Sequence, residues 1–255
     1  MTPHAAIAQL APTRHLLVAL DFDGTLSPLV DEPMSARMLP EARAALDALV
    51  AAPATSVALV SGRTLHDLRI IAEHDDDAPV LLAASHGAEQ WPAPEDEVTD
   101  AAALALRDEL QGAAARIAGE QEGAWVEPKA FGFAVHTRLA APGSVAPLHA
   151  AVDALVAQRA PHWRRRLGHD VLEFSFRSEG KDAAIARLRA QTGATAVLFA
   201  GDDVTDEDAL RSLARGDVGV RVGGGETAAA VRVEGIRELS SLLVGLAHER
   251  ARLRA

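Results

Sequence analysis

The run Leu16-Leu17-Val18-Ala19-Leu20 ends without a turn in Asp21-Phe22-Asp23-Gly24-Thr25, and no other stretch of the chain constrains the fold as tightly. Five apolar residues in a row suit a strand covered on both faces, as in a parallel sheet with helices above and below. Further runs follow the same rule. Val57-Ala58-Leu59-Val60 stops at Ser61-Gly62-Arg63, and Val80-Leu81-Leu82-Ala83 leads into Ser85-His86-Gly87-Ala88-Glu89. Val197-Leu198-Phe199-Ala200 leads into Gly201-Asp202-Asp203, and residues 218–222 predict one more strand. Helical spacing over residues 40–50, 65–71 and 206–214 separates them. Alternating strands and helices predict an α/β fold with a doubly wound parallel sheet. Ligands of such sheets bind beyond the carboxyl ends of the strands, so the polar clusters should meet at one edge.

Between residues 100 and 177 the texture changes. Helical stretches over 101–117 and 145–158 flank segments that alternate polar and apolar residues: 125–129, 133–138, 163–167 and 171–176. Alternation predicts a sheet with one wet face, its last two strands turned at Gly168-His169-Asp170. We expect a core from residues 1–103 and 177–255, with 104–176 as an inserted α+β unit. The basic run Arg164-Arg165-Arg166 reads as a solvated edge that discourages further strand pairing.

Composition narrows the partners. The 255 residues carry a formal net charge of −11, which repels nucleic acid and anionic lipid. No stretch approaches the ~18 apolar residues of a membrane span. With no Cys there is neither a disulfide framework nor a thiolate metal site. Residues 1–14 lack the basic and apolar regions of a signal peptide, so a soluble, cytoplasmic chain is expected; a monomer is taken as the starting expectation.

Asp21 and Asp23 leave one strand two residues apart, and such carboxylates repel unless a cation lies near or one is protonated. Phosphoryl transfer uses both arrangements: one Asp attacks phosphorus and the other exchanges protons with the leaving oxygen and with water. A helix N-cap without chemistry would account for the same residues. Asp202, Asp203, Asp206, Glu207 and Asp208 form a second acidic set. Magnesium takes oxygen ligands but only one or two carboxylates. Asp202, nearest the strand end, is therefore expected at the metal, with Asp203 and Asp206 behind it and Asp206 also able to cap the next helix. Ser61-Gly62-Arg63 opens a helix as an anion cradle would, and Lys181 offers a point positive charge.

Taken together, Asp21-Phe22-Asp23-Gly24-Thr25, Ser61, Lys181 and Gly201-Asp202-Asp203 resemble the four signature motifs of the haloacid dehalogenase (HAD) superfamily of phosphatases. The resemblance implies an HAD-like core with a cap, Asp21 as nucleophile and Asp23 as acid/base. It also implies phosphate binding by Ser61 and Lys181, and Mg2+ held by Asp21, Asp202 and the backbone carbonyl of Asp23. In the third motif the superfamily's Lys precedes Gly, whereas here Gly180 precedes Lys181 and Asp182 follows.

A finer resemblance is to the trehalose-6-phosphate phosphatases, carried by Ser61-Gly62-Arg63, His86-Gly87-Ala88-Glu89, Val126-Glu127-Pro128-Lys129, His136-Thr137-Arg138, Leu172-Glu173 and residues 201–207. It implies that the substrate is a phosphorylated disaccharide whose hydroxyls meet Glu127, Lys129 and Glu173. Arg63, Gly87, His136 and Arg138 would line the mouth of the site. Another sugar phosphate, such as sucrose phosphate or a mannosyl phosphoglycerate, is the nearest alternative substrate. A regulatory domain that binds sugar phosphate without turnover is the alternative from a different class.

Overall fold

The computed structural model describes residues 1–93, 100–168, 170–177 and 180–254. The chain forms two units, one from Met1–Pro94 with Glu179–Ala255 and the other from Glu95–Ser178. The boundary expected at residue 103 would cut a helix, Ala101–Gly119, that lies wholly in the second unit.

The first unit is built on a seven-stranded sheet. In chain order its strands are β1 (Leu16–Leu20), β2 (Thr55–Val60), β3 (Val80–Ala84), β4 (Glu89–Trp91), β9 (Ala196–Gly201), β10 (Val218–Val222) and β11 (Val231–Val233). They lie in the order β11-β10-β9-β1-β2-β3-β4. All pairs are parallel except β3 with β4. The reason that β1 is apolar throughout is now visible. Leu16, Val18 and Leu20 pack into one core, with residues of α1 (Pro3–Leu10), α2 (Pro40–Ala51) and α8 (Ile236–Arg254). Leu17 and Ala19 pack into another on the opposite face, with α6 (Lys181–Thr192) and α7 (Asp206–Ser212). From β1 the chain winds outward to β2 on one side and, much later, to β9 on the other. The carboxyl ends of these central strands are the switch point where such sheets place a ligand.

Arg250 of α8 is fully buried. Its guanidinium donates to the carbonyls of Leu10, Ala11, Thr13, Pro53 and Ala54 and to the Thr13 and Thr55 hydroxyls. A charge this deep is tolerable only when its donors are met. Here it fastens the end of α8 to the loops that lead into β1 and β2.

The second unit is a four-stranded antiparallel sheet in the order β5-β6-β8-β7, with β5 (Trp125–Lys129), β6 (Gly132–His136), β7 (Arg164–Gly168) and β8 (Val171–Ser175). The period of two sends Phe133, Val135, Leu172 and Phe174 to one face, where they pack with α4 (Ala101–Gly119) and α5 (Pro142–Arg159). Of the turn expected between β7 and β8, His169 lies outside the described residues. The basic run lies on an edge strand, β7, with Arg165 exposed, and it is also paired within the unit. Arg165 forks onto Asp153 of α5 at 2.6 and 3.0 Å and Arg166 pairs with Glu173 of β8 at 3.1 Å, since alternation sends the two to opposite faces. Among the described residues, no helix is long and apolar enough to cross a membrane.

Candidate active site

Asp21 follows β1 directly and is 5% exposed. Asp202 follows β9, the neighbouring strand, and Asp206 opens α7. Carboxylate oxygens of these three lie within 4.8 Å of one another. Lys181, at the first position of α6 and 3% exposed, donates to Asp21 Oδ1 and Asp206 Oδ1, both at 2.7 Å. Gly180 is the extended N-cap of that helix, so the Gly-Lys order still brings the ammonium onto the two acids.

Asp206, expected behind the metal and also able to cap the next helix, reaches the cluster for a local reason. A Cβ on Gly201 would stand 2.3 Å from Asp206 Cγ; the bare glycine lets the carboxylate fold back beneath the loop. There its Oδ2 accepts the Asp203 N–H at 2.9 Å, while Thr205 holds the N-cap position without a side-chain capping bond. Asp203 itself is exposed. Gly24 plays the matching part on the other loop. It adopts φ +74°, and a Cβ there would lie 1.9 Å from Asp202 Oδ2.

Three carboxylates around one ammonium leave two negative charges uncompensated in a nearly dry space. Burial is the largest influence on Asp21 and raises its pKa; Lys181 opposes this, Asp206 and Asp202 reinforce it, and the net is well above the usual range. Asp202 is pushed up to about 6, by burial first and then by Asp206, against the pull of Lys181. Burial would lower the Lys181 pKa, but Asp21 and Asp206 outweigh it and raise the net value, so the ammonium stays charged. A set of hard oxygen donors with this deficit of positive charge is what a divalent cation such as Mg2+ fits.

Asp23 is not part of that cluster. Its two oxygens receive the Arg63 fork, Nε at 2.8 Å and Nη2 at 2.7 Å. Ser61, at the end of β2 and 1% exposed, accepts the Arg63 N–H at 3.1 Å. The Ser61-Gly62-Arg63 turn is stitched to the β3 loop, where Ser85 N–H reaches the Arg63 carbonyl at 2.6 Å and His86 N–H reaches that of Ser61 at 2.9 Å. His86 sits in the left-handed region at φ 56°, its ring where a side chain on Gly62 would be. Gly87, at φ +101°, leaves room for Ala184 of α6, whose Cβ would be 2.7 Å from an added carbon. Glu89, quoted in the sequence motif but given no role there, ties β4 to this turn by accepting from Leu65 N–H at 3.1 Å and the Ser85 hydroxyl at 2.5 Å.

The second unit has its own polar cluster. Register aligns Glu127, Ala134, Glu173 and Arg166 in one row across the four strands. Glu127 accepts from Lys129 at 2.6 Å and pairs with His136 at 2.7 Å, and His136 stacks on Trp125 with ring centroids 4.7 Å apart. Burial acts to raise the Glu127 pKa, but the His136 hydrogen bond and the Lys129 ammonium outweigh it and lower it to about 2. The small Ala134 side chain at the centre leaves both acid–base pairs standing above it. Arg138, just past β6, is exposed.

A parallel sheet with carboxylates at its central switch point, a buried lysine beside them and a second α+β unit inserted before that lysine has the fold of the HAD-type hydrolases. The trehalose-phosphatase family model matches residues 19–232, and the chain belongs to that family. A trehalose-phosphate phosphatase of Mycobacterium avium is 39% identical over 215 residues, which take in 80% of this chain and 53% of that protein. An uncharacterized glycosyl hydrolase of Mycobacterium tuberculosis is 36% identical over 249 residues, 91% of this chain but 18% of its own length. The chain thus spans about half of the first relative and under a fifth of the second. The C-terminal domain of the C. albicans trehalose-6-phosphate phosphatase has the same fold, with a TM-score of 0.77, 21% identity and coverage of 96% of this chain and 97% of that one.

Proposed function

We propose that the chain hydrolyses trehalose 6-phosphate to trehalose and phosphate, with Mg2+, through an aspartyl phosphate on Asp21. The observation that carries the reading is the convergence of Asp21, Asp202 and Asp206 on Lys181 at the switch point of a family-typical fold. Bound by Asp21, Asp202 and the Asp23 carbonyl, Mg2+ would offset phosphate charge and polarise the phosphoryl oxygens.

The chain's own groups then divide the work. Lys181 and Ser61 hold the phosphate, and Lys181 also fixes the direction of the Asp21 carboxylate. Asp21 attacks phosphorus as the bond to the sugar oxygen breaks. Asp23 gives that oxygen a proton, then takes one from the water that cleaves the aspartyl phosphate, restoring both acids. Arg63, forked onto Asp23, keeps its carboxyl aimed. Asp203 and Asp206 support the loop of Asp202. Together these effects must remove roughly 20 kcal/mol from a very slow reaction.

Sugar selection is assigned to the second unit: Glu127, Lys129 and Glu173 offer acceptors and donors to vicinal hydroxyls. His136, Arg138, Arg63 and Gly87 serve as further substrate contacts. The test is phosphate release from trehalose 6-phosphate, sucrose phosphate and mannosyl phosphoglycerate, each with Mg2+ and with chelator. Turnover should favour trehalose 6-phosphate and stop with chelator. Binding of the sugar phosphate without release would instead make the chain a sensor.

A further inference from the structure

Asp202 and Asp206 share one loop, and their repulsion works to pull that loop open. Asp203 commits both of its backbone groups: the N–H goes to Asp206 Oδ2, and the carbonyl accepts Arg221 Nη1 at 2.8 Å. Arg221 lies on β10 and is 8% exposed, an unusual place for a guanidinium. The same group sends Nε to the Gly224 carbonyl at 3.1 Å. Nη1 also stands 3.6 Å from Glu207 Oε1, a charge contact in which that oxygen receives no hydrogen bond. Glu207, 4% exposed, uses its other oxygen to accept Ala228 N–H at 2.9 Å. The anchor on the far side is firm, because Arg232, paired in register with Arg221, donates to the Gly223 and Gly225 carbonyls at 2.6 Å each. One fork therefore joins the acid-bearing loop after β9 to the glycine loop after β10.

We propose that Arg221 is a positioning residue for the divalent cation. Through the Asp203 carbonyl and the Glu207 carboxylate it holds residues 202–206 in the shape that presents Asp202 and Asp206 together, and so sets how tightly the ion binds. This deepens the reading of the acidic cluster as an Mg2+ site and rests on it. A guanidinium suits the task because its rigid planar fork sends separate, fixed donors to two carbonyls on different loops. Partners that orient metal ligands typically change affinity ~10- to 100-fold when removed.

Three proteins test it: wild type, Arg221→Lys and Arg221→Met. Mn2+ binding is followed by the loss of the free-ion electron paramagnetic resonance signal, alongside thermal melting and Mg2+ activation of sugar-phosphate hydrolysis. Arg221→Lys keeps the charge beside Glu207 and should melt close to wild type, yet bind Mn2+ ~10-fold more weakly. Its turnover at saturating Mg2+ and its KM for the sugar phosphate should stay near wild type. Arg221→Met should lose both affinity and melting temperature. Wild-type Mn2+ affinity in a stably folded Arg221→Lys would overturn the inference. If wild type itself leaves Mn2+ free, the metal reading of the cluster falls, and this inference falls with it.

Discussion

Replacing Gly24 by Ala adds one methyl group where the structure has no room for it. The new Cβ would lie 1.9 Å from Asp202 Oδ2 and 2.3 Å from its Cγ, and the residue would have to keep φ +74°. Ordinary contact begins at 3.4 Å, so the Asp202 carboxylate must retreat by about 1.5 Å. The left-handed backbone costs ~1–2 kcal/mol for an alanine. A displacement of that size at a reacting centre lowers turnover ~100-fold. Gly193→Ala supplies the control. It carries a similar positive φ, +65°, at the C-cap of α6, with nothing within 4 Å of the added carbon. It should show the backbone cost alone, with normal activity, about 18 Å along the helix from Lys181 (about twelve residues at 1.5 Å). The assay pairs urea unfolding of both variants with phosphate release from trehalose 6-phosphate at saturating Mg2+. If Gly24→Ala turns over within about threefold of wild type while losing only the stability that Gly193→Ala loses, Asp202 is not where the chemistry needs it.

Two further outcomes concern stability. Glu127 has its pKa lowered from 4.5 to about 2 despite burial, so its contribution is fully present above its unfolded value and fades as pH falls from about 4.5 to about 2. Urea unfolding of the full chain across that window should lose stability, Glu127→Gln should flatten the slope, and identical slopes would contradict the pairing with His136 and Lys129. Arg250→Met leaves five buried or partly buried backbone carbonyls without that donor and should cost ~3 kcal/mol or more. A urea midpoint near wild type would show that α8 is held by packing alone.

The central strands were legible because burial on both faces demands unbroken apolar runs, and each run ends in the residues that face the site. Elements at the margins were not. β4 is three residues long, Glu89–Trp91, and half-buried throughout, so it shows neither an apolar run nor alternation. α1 and β11, an eight-residue helix and a three-residue strand, are also too short for periodicity to stand out. Within the site, the acids could be found but not assigned to one another. Asp206 is four residues beyond Asp202, a spacing that suggests a cap, and only the missing Cβ of Gly201 lets it turn back into the cluster. Arg63 is expected as a substrate contact, and nothing in the sequence says that a side chain forty residues earlier, Asp23, will also lie under its fork. The signal for Arg221 is faint, a lone arginine in an apolar strand that needs buried acceptors.

The covalent role of Asp21 is tested most directly by stopping the reaction with acid during turnover of trehalose 6-phosphate labelled in its phosphate, and mapping the label by peptide mass spectrometry. The account predicts one phosphoryl group on the peptide containing Asp21, and none in Asp21→Asn. Turnover by Asp21→Asn at the wild-type rate, or label on any other residue, would contradict it.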